Sequence, residues 1–121
     1  MQVGSLIMKN ALSFAAAAET VTGLGLLIVP SLVGQLLLGD QLAGVAISVA
    51  RVAGMALIGL GVACLPGSAH MGMLIYGALI TPYLASLAFR GAGGVLLWPA
   101  VVLHLILTLL LIRNLMRMPR G

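Results

Sequence analysis

Four long runs of apolar residues, almost free of charge, constrain this chain more than any other feature of its sequence. The runs cover roughly residues 11–29, 44–65, 69–89 and 95–112. About 20 apolar residues in a helix are enough to cross the hydrocarbon core of a bilayer. With 62% hydrophobic and 7% charged residues, the chain has more apolar surface than a soluble fold of 121 residues can bury. The sequence therefore predicts an all-α polytopic integral membrane protein, a single domain with four transmembrane helices in an antiparallel bundle.

The segments between and after these runs carry the signals that end helices. Pro30 ends the first run because a proline inside a helix removes a hydrogen bond. Residues 30–43 are too short and too interrupted, by Gly34 and Gly39 among others, to cross a membrane. We expect an interfacial loop with a short helix there. Residues 113–121 are predicted to form a basic tail.

The positive charges predict the orientation of the chain. Four cations lie on the side of the two termini: Lys9, Arg113, Arg117 and Arg120. Loops on the cytoplasmic side of a membrane carry an excess of lysine and arginine. We therefore expect both termini in the cytoplasm and the protein in the bacterial inner membrane. The net charge of +4 then reflects topology and not a nucleic-acid partner. Trp98 is predicted to anchor the opposite interface, where indole rings are enriched.

Small residues recur along the first two runs at helical spacing. Ala46, Ala50 and Gly54 repeat every fourth position in the second run, and Ala15 and Gly23 lie on either side of Glu19 in the first. Such stripes let the backbones of two membrane helices approach closely. The pattern predicts that the first and second spans pack together.

Two charged residues lie inside these spans. At 1.5 Å per residue, Glu19 is roughly 16 Å and Arg51 roughly 10 Å from the same end of the two spans. Each unpaired charge would cost about 2.5 to 3.5 kcal/mol near a helix centre. An intramembrane ion pair between Glu19 and Arg51 is therefore predicted. Glu19 has two interpretations, a structural ion pair that holds the helices in register or a site for a proton or cation.

Other polar residues are few. Tyr83 and His104 are estimated to lie at a similar depth and could form a polar cluster, although a histidine in such a helix is more often hydrogen-bonded and packed. The sequence has neither a cluster of metal ligands nor a nucleophile paired with a base. We therefore predict no catalytic residue, no metal and no cofactor, and expect that the protein is not an enzyme. Binding of a lipid or quinone between the helices stays open.

The first half of the chain resembles the small four-helix bacterial membrane proteins of the DoxX-like group. The resemblance rests on Pro30, on Ala50–Leu57 (Ala-Arg-Val-Ala-Gly-Met-Ala-Leu) and on Leu60 followed by Gly61. It covers roughly residues 15–65. It implies a four-helix membrane fold and no definite activity.

The length, the four spans and Ala18-Glu19 also resemble the small multidrug resistance transporters. That resemblance implies that Glu19 exchanges protons for cationic compounds. The chain departs from the pattern because Arg51 could neutralise Glu19, the only tryptophan lies at an interface, and the loop at residues 30–43 is longer.

These observations lead to two hypotheses for the function. In the first, the chain is a non-enzymatic accessory or structural subunit of a larger membrane complex, whose partners are the lipid bilayer and other membrane proteins. In the second, it is a small proton-coupled transporter centred on Glu19 that works as a dimer. Nucleic acid is not expected as a partner, and the oligomeric state is left open.

Overall fold

The structure of the protein is a computed structural model that describes residues 2–66 and 68–117. Every element of regular secondary structure in these residues is a helix. The five helices of these residues are α1 (Gln2–Ile28), α2 (Pro30–Leu38), α3 (Val45–Ala63), α4 (Ala69–Phe89) and α5 (Leu97–Arg117). All except α2 are long and apolar enough to cross a membrane. The structure thus confirms the prediction of an all-α fold with four such helices.

The outer two helices are longer than predicted. α1 begins at Gln2 and not near residue 11, and α5 continues to Arg117 and not to residue 112. Both extensions lack an internal proline, and arginine is a good helix former, so nothing in them ends the helix. Arg113 and Arg117 consequently lie on α5 and not in a free tail, while Arg120 is outside the described residues.

The break between α1 and α3 is built from proline and glycine. Pro30 is the first residue of α2, a position where its missing N–H costs nothing. α2 ends at Gly39, whose φ of 81° is the left-handed conformation that glycine adopts readily. The Ser31 hydroxyl donates a hydrogen bond to the Leu42 carbonyl at 3.1 Å. α2 is therefore tied to the connection that follows it.

α1 and α3 touch through their backbones. A Cβ atom added at Gly54 would lie 2.6 Å from the Gly23 carbonyl oxygen, and one added at Gly23 would lie 2.6 Å from the Gly54 carbonyl oxygen. Both glycines are buried. Only residues without a side chain permit this approach. The prediction that the first two spans pack together is confirmed.

The same contacts define the register of α1 against α3. Gly23 faces the turn from Gly54 to Ile58, whereas Gly61, further along α3, faces Ala16 and Thr20. Residue numbers therefore rise along α1 as they fall along α3. α3 ends about level with Ala16, so that about 14 residues of α1 extend past it, about 20 Å at 1.5 Å per residue.

The remaining contacts connect the long helices in a row. Gly59 of α3 lies against Gly72 of α4, and Gly77 of α4 lies against Thr108 of α5. Within the described residues, no Cα atom of α1 comes within 8 Å of one in α4 or α5, and none of α3 does so with α5. The order across the row is α1, α3, α4, α5.

The sequence predicted an antiparallel bundle, and the helices are arranged as an open row. In a closed bundle the first and last spans would also be neighbours. Each close contact here is made by small residues between long helices that are consecutive in the chain, with the short helix α2 between the first two. Helical periodicity identifies an apolar face but does not show which helix covers it, so the closure could not be read from the sequence.

The row has almost no interior. Among the described residues, six apolar ones are buried: Ala16, Ala50, Met55, Ile58, Ile80 and Val101. None of the large side chains is completely buried. Large aliphatic residues of α1 and α5 are instead exposed, for example Leu110, at 51%. Most of the apolar surface is thus available to lipid or to other protein helices.

The glycine contact leads to a prediction about stability. Gly54→Ala should destabilise the fold by about 1 to 3 kcal/mol, because the added methyl group meets the backbone of Gly23 and Leu27 and the Cβ atom of Leu26, none of which can move aside easily. Thermal unfolding in mild detergent measures this loss. Gly4→Ala is the matched control, since a Cβ at Gly4 has nothing within 4 Å. Equal stability of the two variants would contradict the close approach of α1 and α3.

Candidate functional site

Glu19 and Arg51 lie on neighbouring helices but at different levels. Both side chains are half-buried, Glu19 on α1 and Arg51 on α3. The register between the helices places Glu19 level with about Leu60 and Arg51 level with about Ile28. Nine residues of α1 separate these levels, which is about 13 Å along the helix axis.

The directions of the two side chains increase this separation. In a helix the Cα–Cβ bond tilts toward the N-terminus of that helix. α1 and α3 run in opposite directions at this contact. The Glu19 side chain therefore leans toward the level where α1 begins, and the Arg51 side chain leans toward the level where α3 begins. The two charged groups therefore diverge.

The predicted ion pair is accordingly not formed within the chain. In the described part of the protein no ion pair joins Glu19 to Arg51, and the Arg51 Nε atom is buried with no hydrogen-bond partner. The prediction measured both depths from the connection at residues 30–43 and took the two spans to end at the same level. The register instead carries the start of α3 about six residues past the end of α1.

Polar side chains cluster between α4 and α5. The Nε2 atom of His70 is 2.9 Å from the Leu111 carbonyl oxygen across the interface, which fits an N–H donated to that carbonyl. The hydroxyl groups of Thr81 and Thr108 are 3.5 Å apart. Thr108 also donates to the His104 carbonyl, one turn earlier in its own helix, at 2.7 Å. The His70 bond and the contact of the two threonine hydroxyl groups fasten α5 to α4, whereas the Thr108 bond lies within α5.

His104 makes its contacts with Tyr76 and not with Tyr83. Its Nδ1 lies 2.8 Å from the Ala100 carbonyl, which fits an N–H donated to that carbonyl. The ring packs edge-on against Tyr76, with centroids 5.8 Å apart. No described hydrogen bond or aromatic contact joins Tyr83 to His104. The spacing of histidine and tyrosine in the sequence did not show which tyrosine shares the level of the ring.

Two aromatic residues meet where α4 ends and α5 begins. The rings of Phe89 and Trp98 meet edge to face, with centroids 5.1 Å apart. Trp98 is about half exposed and is the second residue of α5. Arg90 follows Phe89 at the end of α4. An exposed indole beside a cation at a helix end suits the boundary between hydrocarbon and headgroups.

The surface has open grooves. One of them, of about 550 Å³, lies between the start of α3 and the connection before α5, and is lined by Ser48, Leu87 and Leu96 among others. A second groove, of about 370 Å³, follows the contact of α3 with α4 at Gly59 and Tyr76. Both are lined mainly by apolar side chains and open to the exterior. Among the described residues, no three histidine, cysteine or acidic side chains come together as metal ligands do.

No protein-family model, curated protein or solved structure was found to match this chain. The resemblance to the DoxX-like proteins, carried by Pro30 and the residues around Arg51, therefore stays a prediction.

The separation of Glu19 and Arg51 leads to a prediction about their coupling. Glu19→Gln and Arg51→Leu should change the free energy of unfolding independently in the monomer, so that the double variant equals the sum within about 0.5 kcal/mol. Unfolding of the four proteins in detergent forms the required cycle. A coupling above about 1 kcal/mol would show that the two side chains do interact.

Proposed function

We propose that this chain is a bacterial inner-membrane protein whose four long helices cross the membrane in alternating directions. Both termini lie in the cytoplasm in this proposal. Lys9 near the start of α1, and Arg113 and Arg117 near the end of α5, lie at the same membrane side of the four helices. Trp98 at the start of α5 and Arg90 at the end of α4 lie at the opposite membrane side of the helices. The protein acts as a non-enzymatic accessory or structural subunit of a larger membrane complex.

The open row is the observation that carries this proposal. Four helices in a row leave two broad apolar faces and two free edges, and the described core has no completely buried large side chain. Helices in lipid associate through close packing and polar contacts, not through a hydrophobic driving force. A chain with so little packing of its own has its surface available for packing against other membrane helices.

The polar side chains between α4 and α5 also support a structural role. His70, His104 and Thr108 each bond a backbone carbonyl. The His70 bond crosses from α4 to α5, whereas the His104 and Thr108 bonds go to carbonyls one turn earlier in α5 itself. Groups engaged in this way have less capacity left for binding or reaction. The cluster therefore acts as a fastening between α4 and α5.

Glu19 supports a second candidate function, a small proton-coupled transporter that works as a dimer. The argument against it was that Arg51 would neutralise the carboxylate. Since the register places Arg51 about 13 Å away along the helix axis, that objection falls. An intramembrane carboxylate that pairs with no cation of the described residues can serve as a proton or cation site.

The first test of the proposed function is the mass of the native particle. After extraction from the native membrane in mild detergent, the protein should migrate with a large assembly at fixed stoichiometry, because its role is to pack against other subunits. Size-exclusion chromatography with light scattering measures this. A particle of one or two copies would contradict the subunit role.

Glu19→Gln separates the two candidate functions. In a transporter centred on Glu19, the change should abolish proton-coupled uptake in vesicles, since the carboxyl group can no longer exchange a proton. In a structural subunit, it should leave vesicles equally permeable. Asp40→Asn is the matched control, because Asp40 is the other acidic residue of the chain and lies exposed after α2.

A further inference from the structure

We infer that α4 and α5 together bind a phospholipid with an anionic headgroup. The phosphate of this lipid lies between Arg113 and Arg117, and one of its acyl chains lies in a groove between Met73 and Leu107. The inference rests on the proposed function in one respect, that this end of the helices lies at the cytoplasmic surface of the membrane. Three features carry it: the shape of the surface, its depth along the helices and its charge.

An apolar groove runs along the contact of α4 with α5. It has a volume of about 390 Å³ and is lined by Met73 of α4 and by Leu107, Leu110, Leu111 and Asn114 of α5. Met73 is 55% and Leu107 46% exposed, so the groove opens to the exterior. We name it the acyl groove, because an open apolar channel along two membrane helices suits a hydrocarbon chain.

A second depression continues the acyl groove toward the end of α5. It has a volume of about 290 Å³ and is lined by Leu110, Arg113, Asn114 and Arg117. Leu110 and Asn114 line both depressions, which therefore join. Side chains of a helix lean toward its N-terminus, so the two arginines lean back toward the acyl groove. The surface thus changes from apolar to cationic over about two helical turns.

The depth of this change matches the end of the apolar row. His70 bonds the Leu111 carbonyl from the first turn of α4. Arg113 is about 3 Å and Arg117 about 9 Å beyond Leu111 along the axis, level with the start of α4 and the turn before it. Leu107 lies about 6 Å on the other side of Leu111, within the apolar helices. A phospholipid has the same order, with its headgroup outside the hydrocarbon core and its chains within it.

The two arginines lack an acidic partner within the described residues. The chain has two acidic residues, Glu19 on α1 and Asp40 after α2, and neither α1 nor α2 contacts α5. Arg113 and Arg117 are both exposed, and residues four positions apart are neighbours on the surface of a helix. A phosphate group can accept hydrogen bonds from both guanidinium groups, and the Asn114 amide supplies a further donor.

A phospholipid accounts for the whole of this surface. An acidic segment of another protein, or a free phosphate ion, would account for the arginines but would leave the acyl groove unexplained. Anionic lipids of the cytoplasmic leaflet attract lysine and arginine side chains at the membrane surface. The apolar and cationic parts adjoin, which favours a ligand whose hydrocarbon chain and phosphate are covalently joined.

Native mass spectrometry of the delipidated full-length protein tests the headgroup contact. Dioleoyl phosphatidylglycerol should bind more tightly than dioleoyl phosphatidylcholine, whose choline cation offsets the phosphate charge. Arg113→Gln and Arg117→Gln should each weaken phosphatidylglycerol binding about fivefold, because a cation near a membrane surface contributes about 1 kcal/mol. Lys9→Gln is the matched control, since it removes a cation of the same membrane side from the other edge of the row. Equal affinity for the two lipids, or equal weakening by Lys9→Gln, would overturn the inference.

A pair of tryptophan variants tests the acyl groove. Leu107→Trp should weaken the binding of dioleoyl phosphatidylglycerol several-fold, because the larger ring fills the groove. Leu105→Trp is the matched control, since Leu105 is equally exposed, at 45%, but lies two positions earlier and so on nearly the opposite side of α5. Equal losses in the two variants would remove the acyl groove from the site.

Two competitors distinguish the lipid from other anions. Inorganic phosphate and a glutamate-rich peptide carry the charge without the acyl chain, and should displace dioleoyl phosphatidylglycerol only at much higher concentration. Displacement by either at the concentration of the lipid itself would overturn the assignment. In the case of the peptide, it would indicate a protein partner at Arg113 and Arg117 instead.

These results separate the inference from the proposed function. A native particle of large mass whose Arg113→Gln variant binds phosphatidylglycerol like the parent would leave the subunit role intact and remove the lipid site. Selective lipid binding in a particle of one or two copies would support the lipid site and contradict the subunit role. Orientation is measured by itself, with Arg117→Cys in a Cys64→Ala background. A membrane-impermeant maleimide should label this variant in inside-out vesicles and not in right-side-out ones.

Discussion

The structure depends on the contact between Gly23 and Gly54, where the backbones of α1 and α3 meet without intervening side chains. Such a contact gains dispersion energy over many atoms while it fixes little side-chain entropy. It also admits one register only, because a shift by a residue would bring Leu24 or Met55 into the space of a glycine. The level of every other residue in the row follows from it.

The chemistry of the charged residues is one consequence of this register. Glu19 and Arg51 are of opposite charge and lie on touching helices, which alone would favour a pair. They are nevertheless kept apart, since the glycine contact slides α3 past the end of α1. A fold stabilised by an internal ion pair would have required another level for α3. The protein instead holds the carboxylate of Glu19 and the guanidinium group of Arg51 at separate levels of the same helix contact.

The sequence predicts the elements of this fold well and their arrangement only partly. Long apolar runs mark the four helices, and the spacing of Ala50 and Gly54 correctly predicts that α3 packs against α1. The level of Arg51 could not be predicted, because the short helix α2 takes up chain between α1 and α3 without any signal of how far α3 overlaps α1. Whether α1 and α5 are neighbours could not be predicted either, because exposed leucines of α5 are equally suitable for contact with lipid and with another helix.

The candidate site shows the same division. That Glu19 is exceptional follows from its charge within an apolar run. Its distance from Arg51, and the choice of Tyr76 over Tyr83 as the neighbour of His104, depend on helix overlap and rotation. Neither quantity is encoded by residue type at a single position.

The near absence of an interior has a thermodynamic consequence. Unfolding raises the heat capacity of a protein, and its sensitivity to denaturant, in proportion to the surface newly exposed to solvent. In a row where most leucine and isoleucine side chains already face the exterior, separation of the helices exposes narrow strips of glycine and alanine and only a few larger side chains such as Met55 and Ile58. Both quantities should therefore be small for a chain of this length, and its helices should part gradually over a wide range of temperature.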